Sequence, residues 1–300
     1  MSVVPLRVHV RLENIVTQLF SSGTAYVAQA KTLYLWSVFF KVDGSTVQVN
    51  SKLQLQGTAT VVPTPGNQGD LPGGISASPY LNESTPIPSA MGDYVTKLVP
   101  IPVSISGIGP VGGVIGYAVI LLYQEDTPAS AVAAGHQALN SSLQQGLNNV
   151  IPTLGATNQD ITQTDVHNIT NQVLAAVKSA VKNNLSLLEK IGTLLNDEFQ
   201  DEPAGNAVVY FTESQLAASP PQGIPLNSSN SAITEYDTPP GSAPTPQYTF
   251  TFSGSVVADP LPFSLRRILI GLGHPPPVGV RAVMGSAFTS SLLAWINGVR

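Results

Sequence analysis

The sequence predicts an α+β protein: an antiparallel β-sandwich-like body with an inserted antiparallel helical hairpin and short C-terminal helices. Three observations predict it. Apolar residues recur at every second position before Gln124, at every third or fourth from Val132 to Leu195, and at every second again from Ala207. Strands followed by helices and then by strands fit a segregated α+β arrangement rather than strand–helix alternation. With 300 residues, 43% of them hydrophobic, the chain has enough apolar surface to offset the entropy of ordering a core. The body is assigned residues 1–125 and 203–300, and the hairpin residues 126–202.

Residues 5–12 alternate, with Leu6, Val8, Val10 and Leu12 on one face, as a half-buried strand does. Residues 33–42 are rich in β-branched and aromatic side chains. Asp43-Gly44 follows, then residues 46–49. An Asp-Gly pair between two such runs predicts a hairpin, because both residues tolerate positive φ. Residues 52–62 alternate again, with Leu53 and Leu55 opposite Gln54 and Gln56. Residues 63–88 are rich in Pro, Gly, Ser and Asn and read as a long surface loop. Residues 94–106 and 113–123 read as strands. The second is apolar on both faces, which predicts a central strand covered on each side.

The rhythm then changes. Thr127 is placed as a helix cap with Pro128 in the first turn. Val132, His136, Leu139, Leu143, Leu147 and Val150 follow at helical spacing. After a turn over 152–159, Asp160 and Gln163 have the spacing of a capping box. Val166, Ile169, Val173, Val177, Val181, Leu185, Leu188 and Leu195 carry a second helix to about Asn196. Two helices of similar length joined by a short loop are expected to lie antiparallel. Residues 207–212 and 248–257 read as strands, and 217–246 as a second Pro/Ser/Asn-rich loop. Residues 263–272 and 286–295 give two short helical patterns, separated by a Pro-rich stretch no helix crosses.

Charged residues make up only 10% of the chain, against about 25% in an average protein. Polarity must come from Ser, Thr, Asn, Gln and backbone groups, and such a surface repels copies of itself weakly. Net charge is -5 and the basic residues do not cluster beyond short groups such as Arg266-Arg267, so nucleic acid is excluded as a partner. The absence of cysteine excludes disulfides and thiolate chemistry. Residues 1–12 lack the basic-then-apolar pattern of a signal peptide. The longest apolar stretch, 112–123, falls well short of the roughly 20 residues of a membrane helix, so a soluble chain is expected, its compartment open.

The motifs are few. Gly107, Gly109 and Gly112 match G-x-G-x-x-G after a strand, but a nucleotide site needs a helix to begin there, and an apolar β-like run follows instead. Four histidines, His9, His136, His167 and His274, show no ligand spacing. His136 lies in the apolar stripe of the first helix. It is either an imidazole serving chemistry beside Glu125 or Asp126, or a hydrogen-bonded filler of the helix–sheet seam; the latter is the preferred reading. Asp197, Glu198, Asp201 and Glu202 form the densest acidic cluster, at a helix end where the macrodipole disfavours anions. Oxygen-rich clusters hold Ca²⁺, the one cofactor the sequence suggests, although the spacing is not that of an EF-hand and a solvated acidic corner is preferred. Sequons at Asn82, Asn140, Asn168, Asn184 and Asn227 read as chance products of an Asn/Ser/Thr-rich chain. Trp295, in the apolar tail near Arg266, Arg267 and Arg281, is a candidate interface residue.

Catalytic signatures such as G-x-S-x-G or a P-loop are missing. The leading expectation is therefore a non-enzymatic interaction or structural protein, with long polar loops on a β-sandwich scaffold, binding protein partners or itself as a subunit of an assembly. The alternatives are a membrane-active, toxin-like protein whose hairpin or tail leaves the body, and a hydrolase with a loop-borne site.

Overall fold

Strands dominate the computed structural model, which describes residues 5–19, 31–65, 74–75, 83–105, 108–124, 127–155, 202–237 and 245–260, together with Ile169, Asn171, Gln172, Leu174, Ala175, Val177 and Ser179. The chain divides into units Met1–Leu261 and Pro262–Arg300, and every described residue belongs to the first. The elements in order are β1 (Leu6–Leu19), β2 (Lys31–Val42), β3 (Val47–Val49), β4 (Leu55–Gly57), β5 (Thr60–Pro63), β6 (Gly74–Ile75), β7 (Glu83–Pro86), α1 (Ser89–Gly92), β8 (Asp93–Leu98), β9 (Val114–Tyr123), α2 (Ala129–Val150), β10 (Glu202–Thr212), α3 (Glu213–Ala217), β11 (Ile224–Leu226), β12 (Ala232–Asp237) and β13 (Thr245–Pro260).

The strands form two main antiparallel sheets. In the front sheet β1 and β13 pair along almost their whole lengths; β7 and β8 flank β1, and β11 and β12 flank β13. The middle sheet runs β10-β9-β2-β5, with β6 also on β2. A small third pair joins β3 to β4.

Alternation assigns the side chains to layers. On β9 all ten residues are buried. Ile115, Tyr117, Val119 and Leu121 face the front sheet and meet Leu6, Val8, Val10, Phe250 and Phe252. Val114, Ala118, Ile120 and Leu122 face the opposite way, into a second cluster with Val132, Leu139, Leu143 and Leu147 of α2. Strand β2 divides likewise: Leu33, Leu35 and Phe39 look to the front sheet, Tyr34, Trp36, Val38 and Phe40 to the helix. The first unit is thus layered sheet, sheet and helix, and the doubly apolar pattern of β2 and β9 is what a middle layer requires. Gly116 is needed in that layer: a Cβ there would stand 2.6 Å from the Phe40 ring and 2.4 Å from the Val209 carbonyl oxygen.

Strand β1 extends past its expected end at Leu12 by means of a bulge. The register with β13 shifts between Leu12 and Asn14, opposite Gly254, whose φ is +148°. One extra residue reverses the alternation, so Leu6, Val8, Val10 and Leu12 point inward, and then Ile15 and Thr17 do.

Other expectations need correction. Asp43-Gly44 does not close a hairpin between β2 and the residues after it. The long-range partners β5 and β9 occupy both edges of β2, while β3 pairs with β4. The alternating run 52–62 breaks into β4 and β5. The stretch 63–88 includes β6, β7 and the end of β5, and 217–246 includes β11 and β12, so neither is loop throughout. Helix α2 begins at Ala129 with Pro128 at the cap position and no side-chain cap bond, one residue later than Thr127 predicted. Of the second helix, the described positions from Ile169 to Ser179 are helical, and Ile169 and Val177 are buried in the same cluster as α2. The rest of the expected second helix and both expected C-terminal helices fall outside the described residues.

Candidate docking cleft along β10

Strand β10 forms an edge of the middle sheet. Its register with β9 runs from Glu202 opposite Tyr123 to Thr212 opposite Val114, with an irregularity at Pro203/Gly205. Among the described residues it has no ladder partner on its other side. A cleft of about 570 Å³ lies there. Val208, Val209, Tyr210 and Phe211 all border it. The cleft therefore follows this length of β10, with Val209 and Phe211 on the side that faces the front sheet. Gln215 and Ala218 from the α3 segment, with Ile224 and Asn230, form the remaining wall.

The local sequence explains the wall. Thr212 and Gln215 make a reciprocal capping box: Gln215 N–H donates to Thr212 Oγ1 at 3.0 Å, and Thr212 N–H donates to Gln215 Oε1 at 2.9 Å. This turns the chain sharply out of β10 into α3. Beyond α3, Ser231 Oγ donates to the carbonyls of Asn227 and Phe252, both at 2.7 Å, tying the turn beside the cleft to β13.

Chemically the cleft is neutral. Residues 204–212 contain no charged side chain, and Tyr210 is the sole ionisable group among the residues lining the cleft. What the site offers is the backbone N–H and C=O groups of a strand edge, flanked by apolar side chains. Natural edge strands are usually blunted by charge, proline or a cover, and over 204–212 this one carries no charge and no proline.

A second, smaller cleft of about 180 Å³ lies on the outer face of the front sheet, where Arg7, His9 and Arg11 alternate outward from β1. Acids share that face. His9 Nε2 is 3.8 Å and Arg11 Nε 3.9 Å from the Asp93 carboxylate, and Arg11 reaches Glu13 at 3.5 Å. Mixed, exposed ion pairs of this kind contribute little and leave no concentrated positive field.

The interior holds a charged knot that sequence reading took for a simple turn. Asp43 is fully buried. It accepts from Lys41 Nζ at 2.9 Å and from Val99 N–H at 2.9 Å through Oδ2, and from the N–H and hydroxyl of Ser45 through Oδ1. Lys41 Nζ also donates to the Lys97 carbonyl at 2.8 Å. These bonds fasten the end of β2 to the end of β8. Close by, Glu213 is only 2% exposed. Burial, opposed by a bond from Gly113 N–H and reinforced by the Asp43 charge, pushes its carboxyl up to about 7. Glu213 went unremarked in the sequence, although the Thr-x-x-Gln spacing around it marks a helix start.

Of the site residues expected from the sequence, His136 and Glu202 are among the described residues. His136 lies in the seam between α2 and β2, 6% exposed, with its ring stacked on Trp36 at 5.6 Å and 11°. Glu202 opens β10, whereas Asp197, Glu198, Asp201, Glu125, Asp126 and Trp295 lie outside the described residues. Among the described residues no three His, Asp or Glu side chains gather as metal ligands. Residues 108–112 lead into strand β9 rather than a helix, so among the described residues Gly109 and Gly112 meet no helix N-terminus. Comparison with family models, with curated proteins and with solved structures gives no match to this chain.

Proposed function

We propose that the chain is a non-enzymatic interaction protein, a β-sandwich scaffold that joins a second copy of itself through β10 as a subunit of an assembly. The observation that carries this reading is the uncharged backbone edge over 204–212, opening on a cleft that follows it. An extended strand is the shape that satisfies such an edge, since each residue pair adds ladder hydrogen bonds that water otherwise makes. The second copy is favoured by symmetry. Identical strands that meet antiparallel about a two-fold axis bring central residues opposite their own counterparts, where any charge would repel itself. The low charge of the whole chain works in the same direction.

The helical hairpin read from the sequence belongs to this proposal as a cover rather than a moving part: the apolar stripe of α2 is buried against the middle sheet. Among the described residues no helix is long and apolar enough to cross a membrane.

The test is particle mass in solution. The wild-type chain should exceed the 31.4 kDa of a single copy and approach twice that value on concentration. Val208→Lys, at a half-buried position whose long stem leaves the amine in solvent, should return the mass to one copy while circular dichroism stays unchanged. A wild-type chain that remains a single copy at every concentration would overturn the proposal.

A further inference from the structure

We propose that Glu213 is a proton-operated clasp holding α3 and the end of β10 against the start of β9. The geometry is a two-way clamp on one residue. Glu213 N–H donates to the Gly113 carbonyl at 2.9 Å, and Gly113 N–H donates back to Glu213 Oε2 at 2.9 Å. The backbones approach closely enough that a Cβ on Gly112 would stand 3.4 Å from the Glu213 Cβ. The second carboxyl oxygen, Oε1, is buried and has no hydrogen-bond partner among the described residues.

The surroundings decide which protonation state fits. From the end of β2, Asp43 acts on Glu213 as a like charge, and the Lys41 ammonium beside it is already bound to Asp43 at 2.9 Å. From β8, Lys97 contributes its carbonyl to Lys41 and keeps its side chain exposed. Gly112 and Gly113 bring no charge, and α3 has no basic residue in its last turn. A neutral carboxyl keeps the Gly113 bond and buries no net charge. An ionised one leaves a buried, charged oxygen without a donor, beside another carboxylate.

The direction of the pH effect follows. The folded carboxyl titrates at about 7, above the ordinary 4.5, so the folded chain holds a proton that the unfolded chain has released. The associated stability is complete below about pH 4.5 and is lost as pH rises through 7. Above that point the carboxylate still accepts from Gly113, but the buried charge on the unpartnered oxygen beside Asp43 makes opening of α3 from β9 easier. The clasp stands whatever occupies the cleft, although α3 forms one of its walls.

Thermal unfolding of the full-length chain and of Glu213→Gln, which mimics the neutral acid, tests this. The two should melt together at about pH 5, and the variant should melt higher by roughly 5 °C or more at about pH 8.5. An equal difference at both pH values would overturn the clasp. A carboxyl ¹³C titration of Glu213 in the wild-type chain decides the matter even if the variant fails to fold. A midpoint near 7, accompanied by faster amide exchange at Ser214 and Gln215 above it, supports the clasp; a midpoint near 4.5 contradicts it.

Discussion

At the scale of single residues, the molecule carries polar groups in its interior that differ in how well they are met. Asp43 is saturated: four donors converge on its two oxygens. Replacing Lys41 by Met keeps the bulk and removes the countercharge, leaving a buried carboxylate uncompensated. The expected loss is about 3–5 kcal/mol in urea unfolding at neutral pH. Tyr117 is the opposite case. Its ring packs edge-on against Phe39 between the sheets, and its hydroxyl has no hydrogen-bond partner among the described residues. Burial raises its ionisation well above the usual phenol range, so the group stays neutral. Tyr117→Phe removes a desolvated hydroxyl that forms no bond, and the same unfolding measurement should show stability unchanged or raised by up to about 1 kcal/mol. A loss comparable to a core truncation would mean that the hydroxyl has a partner.

At the scale of elements, hydrophobic rhythm made visible what its period can encode. Strand β9 was legible because ten apolar residues in a row have no half-exposed reading, and α2 because Val132, His136, Leu139, Leu143 and Leu147 keep helical spacing with little interruption. What escaped was set elsewhere in the chain. Asp43-Gly44 has hairpin chemistry, but Lys41 and Val99 capture the Asp43 side chain and distant strands fill the edges of β2, so tertiary pairing overrides the local turn. Strand β11 is too short to show a period, and it and β12 lie among Ser, Asn and Pro residues, where the side-chain bonds of Asn227 and Ser231 organise the backbone. The cleft along β10 left no motif, because an edge is a property of strand order and not of any one strand. Glu213 was hidden for a similar reason: its burial depends on Gly113, a hundred positions away. The helix–sheet seam gives a prediction at this scale. Leu139→Ala truncates a side chain that is 1% exposed beneath the helix, and should cost about 2–5 kcal/mol in thermal or urea unfolding.

At the scale of the whole molecule, the front sheet and helix α2 cover the two faces of the middle sheet in the first unit and leave its β10 edge to the cleft. A protein with 10% charged residues has few charges with which to protect such an edge, and over 204–212 it has placed none there. Low charge, an uncharged stretch of β10 over 204–212 and a cleft along it are one physical feature seen at three magnifications, and together they favour pairing between copies. Backbone amide exchange over residues 204–212, followed as a function of protein concentration, tests this most directly. Alternate amides, those pointing away from β9, should exchange quickly in dilute protein and become protected as copies pair, while the amides bonded to β9 stay slow throughout. Rates that are the same at every concentration, for both sets of amides, would contradict the account.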